Sequence, residues 1–245
     1  MTFIWECFYE KNLGVFALAW IVASFCLLAA CGDNDGSVTQ PESSSSRVKS
    51  SSSSVTLATP CKSETADDCE YGSFTDVRDG QEYKTVKIGS QTWMAENLNY
   101  KTASSFCYYD DEEYCNKYGR LYLWKATVEV CPDGWHLPTE NEFSTLIDAV
   151  GGDSIAGRVL KSASGWDSAD ENGTDAFGFT AMPAGERDYV GNFISEGGFA
   201  DFWSSTEAGP EQAGCMGVNS SLEWAYIGYA GRDYSFSVRC IKNDD

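Results

Sequence analysis

The chain has 245 residues, with 17 Lys+Arg against 37 Asp+Glu and a formal charge of −20. That acidity argues against nucleic acid and anionic lipid head groups as main partners. The one histidine, His136, excludes zinc sites built on several histidines and the two-histidine facial triad. Ten cysteines admit disulfide, metal or redox roles, and the compartment decides between them.

Leu13 to Ala30 is an uncharged apolar run, LGVFALAWIVASFCLLAA, preceded by Lys11. Its length and its small-residue end predict a secretory signal over residues 1–30. The ending Leu28-Ala29-Ala30-Cys31 resembles the bacterial lipobox. That resemblance implies cleavage before Cys31 and a lipid on its thiol, anchoring the chain in the cell envelope. The alternative is an uncleaved membrane-spanning helix, since the run is just long enough to cross a bilayer. Cleavage would remove Lys11, Glu6 and Glu10, so the charge moves only from −20 to −19.

Residues 31–60 are poor in large apolar groups and hold the tract SSSSRVKSSSSS. Such a segment buries too little surface to offset its chain entropy, so a disordered tether is predicted. As a flexible coil it would span roughly 30 Å. Residues 61–245 are expected to form one domain with its own core.

Within that domain, Asp79-Gly80 predicts a hairpin turn. Glu82–Ile88 follows as a strand with Tyr83, Thr85 or Val86, and Ile88 inward, and Gly89-Ser90 as another turn. Gln91–Met94 is a further short strand. Leu123 to Val130 reads as a first helix ending at Cys131. Thr139 and Glu142 form a capping box that opens a second helix, whose buried face is Phe143, Leu146, Ile147 and Val150. Gly151-Gly152 stops it. Beyond Gly152 the chain reads as loops and short strands at 177–182, 200–205, 225–229 and 235–241. In the last, Phe236, Val238 and Cys240 point inward and Ser235, Ser237 and Arg239 outward.

Several segments carry a family resemblance. GSFTDVRDGQEYKTVKIGSQTWMAENLNY, KYGRLYLWKA, CPDGWHLPTENEF, GTDAFGFTAMPAGER, FWSSTE and SFSVRCIK resemble the Fibrobacter succinogenes major paralogous domain, in that family's order from Gly72 to Lys242. Members are mostly surface or secreted bacterial proteins of undefined biochemical role. A wider resemblance joins HLPTENEF and SFSVRC to the C-type lectin-like fold and the formylglycine-generating enzyme group. It implies an α+β fold with two helices, short antiparallel strands and long loops, in which the first and last strands pair.

Export makes disulfides the default. Cys61–Cys69 and Cys107–Cys115 each close a short loop. The lectin-like pattern implies a third bridge, Cys131–Cys240, clamping the helix end to the last strand. Cys215 is then left over, as a buried thiol, an intermolecular link or a reactive group. No CxxC occurs, which argues against structural zinc and thioredoxin chemistry.

The formylglycine-generating relatives hold copper on a cysteine pair, and Cys240 is already taken here, so that activity does not transfer. His136 reads as a structural residue of the helix start. Binding is the expected role. The lectin-like resemblance points to the loops, where Trp166, Asp170, Asn172, Asp175, Tyr189, Trp224 and Tyr226 offer aromatic faces and oxygen donors. Asp167, Asp170 and Asp175 are candidates for calcium. The expectation is a lipoprotein of the outer membrane, facing the cell surface and binding polysaccharide or another surface protein. The alternatives are an enzyme of formylglycine-generating-like fold and a structural part of an envelope assembly.

Overall fold

The computed structural model describes residues 56–244. The signal, Cys31 and the serine tract lie outside the described residues. Residues 56–60, read as the end of the tether, already touch the domain: the Ala58 amide donates to the Ala149 carbonyl at 2.8 Å. Among the described residues, no helix is long and apolar enough to cross a membrane.

In chain order, the first half holds β1 (Tyr71–Thr75), β2 (Glu82–Ile88), β3 (Gln91–Met94), β4 (Ser105–Phe106), α1 (Glu112–Tyr118), β5 (Leu121–Leu123), α2 (Trp124–Thr127) and β6 (Trp135–His136). Next come α3 (Glu140–Ala149), α4 (Asp153–Leu160), β7 (Glu186–Arg187), β8 (Phe193–Ile194), β9 (Phe199–Glu207), β10 (Gln212–Asn219), β11 (Tyr226–Gly231), β12 (Ser235–Ser237) and β13 (Ile241–Lys242). The architecture is α+β, mostly sheet. One sheet runs β1-β2-β3-β13-β6 and the other β11-β10-β9-β12-β5-β4, with β7 and β8 attached at β12.

The predicted hairpins form as read. β1 and β2 pair antiparallel with Phe74 opposite Tyr83, and Gly80 turns at φ +78°. Tyr83, Thr85, Val86 and Ile88 of β2 are buried. β13 joins this sheet through Ile241, opposite Trp93 of β3 and His136 of β6. The last strand thus closes onto the early hairpin, through β3 rather than β1.

α3 opens with both halves of its capping box in place. The Glu142 amide donates to the Thr139 hydroxyl, and Glu142 Oε2 accepts from the Thr139 amide at 2.7 Å. Phe143, Leu146 and Ile147 are buried against Trp93, Phe179, Phe202 and Met216. Gly151 and Gly152 stop the helix at φ +113° and +93°.

Four expectations need correction. Four α-helices are present among the described residues, not two. α1 shows an apolar face of only Cys115 and Tyr118, and α4 carries Gly157, so neither displays a helical period strongly. Gly157 is required there because a Cβ would sit 2.5 Å from the Trp224 carbonyl oxygen. The helix read over Leu123 to Val130 is β5 followed by the single turn α2.

Residues 177–182 are not a strand. Asp175, Gly178 and Thr180 all take positive φ, which breaks any extended run, and one bridge from Ala181 to Lys161 remains. The closing segment does not alternate either. β12 pairs with β5 and β9 of one sheet, and β13 with β3 and β6 of the other. Residues 238–240 cross between the two sheets, so Ser235, Ser237 and Arg239 are as buried as Phe236, Val238 and Cys240.

A candidate ligand cleft

The crossing segment organises one region of the protein. The carbonyls of Val238 and Cys240 accept from the amides of Leu98 and Met94. Arg239, between them, is fully buried. Its Nε and Nη2 donate to Asn97 Oδ1, Nη1 to the carbonyls of Met94 and Phe179, and Nη2 also to the Thr180 carbonyl. Every guanidinium N–H has an acceptor, which makes a buried cation tolerable. The Phe179 and Phe202 rings lie 4.6 and 5.4 Å from its Cζ. Burial lowers the Arg239 pKa, against the pull of Asp175 and Glu96.

Asn97 is the hub of this network. Its amide nitrogen donates to the Tyr118 carbonyl at 2.8 Å and to the Ser237 hydroxyl at 3.2 Å. Gly119, after α1, comes so close that a Cβ would lie 2.9 Å from the carbonyl oxygens of Asn97 and Leu98, and its φ is +77°. Only glycine fits both demands.

Between these segments lies a cavity of about 230 Å³. The β1–β2 hairpin lends Gln81 and Tyr83, and the stretch after β3 lends Glu96, Asn97 and Asn99. α1 and its end lend Asn116, Lys117, Tyr118 and Gly119, and the positive-φ loop lends Thr180 and Met182. Asn99 Oδ1 is buried and has no hydrogen-bond partner among the described residues. The Tyr83 hydroxyl accepts from the Asn99 amide at 2.9 Å, and burial pushes that phenol up to about 12. Tyr118 donates to Glu196, and burial with that carboxylate raises its pKa further. The walls carry amides, hydroxyls, one carboxylate and one ammonium.

The loop residues named from the sequence have different surroundings. Trp166 is buried and its indole N–H donates to the Ser162 hydroxyl. Asp175 is buried, pairs with the Lys62 ammonium at 2.5 Å and accepts from Thr180. Tyr226 is buried and donates to Asp201 at 2.8 Å. These three face inward. Asp167 and Asp170 are exposed, and Asn172 is half-buried and accepts from the Trp166 amide. Tyr189 is exposed beside Tyr234, and half-buried Trp224 lies edge-on to Tyr226.

Asp167, Asp170 and Asp175 do not bring three carboxylates together. Among the described residues the one such metal-type grouping is Cys107, Glu112 and Cys115. Two of those three are joined as a disulfide.

The bridges Cys61–Cys69, Cys107–Cys115 and Cys131–Cys240 are all present. Cys215 is buried in β10 and, unlike a free thiol, is disulfide-bonded. His136 lies between Glu142 Oε1 at 2.7 Å and Asn243 Oδ1 at 2.6 Å, so side chains rather than backbone satisfy it. A carboxylate only accepts, so Nε2 carries a proton towards Glu142. Glu142 is held below the usual carboxylate range: burial opposes this, but the bonds from Thr139 and His136 outweigh it.

Asn97, Asn99, Tyr118 and Arg239 were not singled out by sequence reasoning. Two signals point to three of them, Arg239, Asn97 and Asn99: an arginine inside an apolar closing strand, and two asparagines spaced by one residue in AENLNY.

The molecule is thus a disulfide-bridged α+β domain whose two sheets are joined by a buried arginine beside a polar cleft. The sequence profile of the Fibrobacter succinogenes major domain matches residues 86–242, and the chain belongs to that family. No curated protein and no solved structure matches it.

Proposed function

We propose that this is an envelope lipoprotein, anchored through Cys31 in the outer membrane, whose domain binds extracellular polysaccharide without catalysis. On this reading the fold is a distant relative of the C-type lectin-like and formylglycine-generating group, and the tether holds the domain clear of the membrane.

One observation carries the binding role. Segments quoted for the family resemblance (DGQEY, AENLNY, KYG and FGFTAM) meet at the cleft, and Asn99, which lines it, has a buried side-chain acceptor with no partner among the described residues. A sugar hydroxyl supplies the missing donor, and amides and phenols suit the remaining hydroxyls. Glu96 is the one carboxylate lining the cleft, whereas glycoside cleavage ordinarily needs two that flank the bond. That supports binding rather than hydrolysis.

The test is retention of the full-length protein on a panel of neutral and charged polysaccharides, with and without calcium. Retention lost in Asn99→Ala, with unchanged thermal stability, supports the cleft. Retention of no glycan under either condition removes the carbohydrate reading. Metabolic palmitate labelling that disappears in Cys31→Ala tests the anchor.

A further inference from the structure

The cleft is smaller than the roughly 300–1,000 Å³ of sites that enclose a drug-sized ligand. It takes one small unit and leaves the rest of a polymer outside. What borders it decides where the polymer goes. Tyr118 and Met182 line the cleft and also pack in a separate cluster with Tyr114 and Phe193. From the cleft edge the rings follow one another. Tyr114 lies 6.2 Å from Tyr118, and the Tyr109 ring stands edge-on to Tyr114 at 5.9 Å and 89° and to Phe193 at 6.0 Å and 73°. Tyr109 is 63% exposed although its neighbour Tyr108 is buried. Its backbone is left-handed, φ +54° and ψ +20°, a conformation unfavourable for a bulky side chain.

We infer that the exposed Tyr109 ring extends the cleft, a platform for a neutral polysaccharide chain with one unit in the cavity and a later unit stacked on Tyr109, which Tyr114 and Phe193 support edge-on. This inference rests on the proposed glycan-binding role. Aromatic faces suit the apolar face of a sugar ring, and phenol hydroxyls suit its edge. The neighbouring run Asp110 to Glu113 is exposed and carries four carboxylates, which repel an anionic polymer. The continuity of the rings with the cleft, through Tyr118, favours a chain over a lone monosaccharide.

The experiment uses the full-length protein and neutral cello-, xylo-, manno- and malto-oligosaccharides, each from monosaccharide to hexasaccharide, with affinity read by calorimetry. In the bound series, affinity rises with chain length. Tyr109→Ala lowers hexasaccharide affinity roughly 2- to 10-fold and leaves monosaccharide affinity unchanged. Tyr109→Phe keeps the length dependence. Tyr109→Gly removes the ring while relieving the left-handed backbone, so its loss of hexasaccharide affinity is not a folding defect. Affinity independent of length, or a length dependence untouched by Tyr109→Gly, overturns the platform and leaves the cleft standing. Binding of none of the four series overturns both.

Discussion

The side-chain oxygen of Asn97 accepts from both Nε and Nη2 of Arg239, the first at 3.0 Å, deep inside the protein. The two residues come from opposite ends of the domain, and their contact holds the chain crossing between the two sheets. It also sets one wall of the cleft, because Asn97 faces Tyr118 and Arg239 holds the carbonyls of Phe179 and Thr180.

Removing either partner should therefore destabilise the whole domain. Lysine cannot reproduce the planar fork, and alanine at 97 leaves two guanidinium N–H groups without an acceptor. Arg239→Lys and Asn97→Ala should each lose about 3 kcal/mol in urea unfolding. The double variant should lose much less than the sum, since both changes remove the same bonds. Strict additivity would contradict the hub.

The Cys131–Cys240 bridge spans 109 residues of sequence, against 8 for each of the other two described pairs. In the chain-entropy account, longer loops constrain the unfolded state more. Replacing both cysteines by serine should cost about 4 kcal/mol at Cys131/Cys240 and less at either short loop. Guanidinium unfolding of the three double variants measures the ranking, and equal losses would show that native-state packing sets it.

Burial raises the Asp201 carboxyl to about 7, with the Tyr226 hydroxyl pulling the other way. The folded state then holds a proton that the unfolded state has released, from about pH 4 to about pH 7. The Asp201 contribution to stability is full below about pH 4 and declines as pH rises through about 7. Asp201→Asn should remove this slope. The stability difference between variant and parent should shift in favour of the variant as pH rises across that window. Urea unfolding at several pH values checks it, and a constant difference would mean that the carboxyl titrates normally.

Gly119→Ala tests the close approach at the end of α1. The added methyl meets the carbonyl oxygens of Asn97 and Leu98 at 2.9 Å, in a left-handed conformation. A loss of about 1–3 kcal/mol is expected, with weaker glycan retention because the cleft wall must shift. A stable variant with unaltered retention would place the ligand elsewhere.

Some elements were readable because their cause is local. The Thr139–Glu142 box, the turns at Gly80 and Gly89, and the alternation of Glu82–Ile88 depend on residues a few positions apart, and they form as the sequence predicts. The short loops Cys61–Cys69 and Cys107–Cys115 belong to the same class. The sequence by itself thus determined the hairpins, the capped helix, the short-loop disulfides and the family.

The rest depends on distant surroundings. Ser235 to Cys240 alternates like a half-exposed strand, yet both faces are covered because the segment passes between two sheets, so Arg239 becomes a buried cation. FGFTAM has a strand's composition, but Lys62, Arg239 and the fixed carbonyls hold it in left-handed turns. Trp166, Asp175 and Tyr226 belong to polar or aromatic loop sequences and turn inward, where Ser162, Lys62 and Asp201 complete their bonds. Only the tertiary structure decided which polar groups are satisfied internally and which, like Asn99 Oδ1, have no partner among the described residues. A hydrogen-bond partner more than a hundred residues away leaves no periodic trace in the chain.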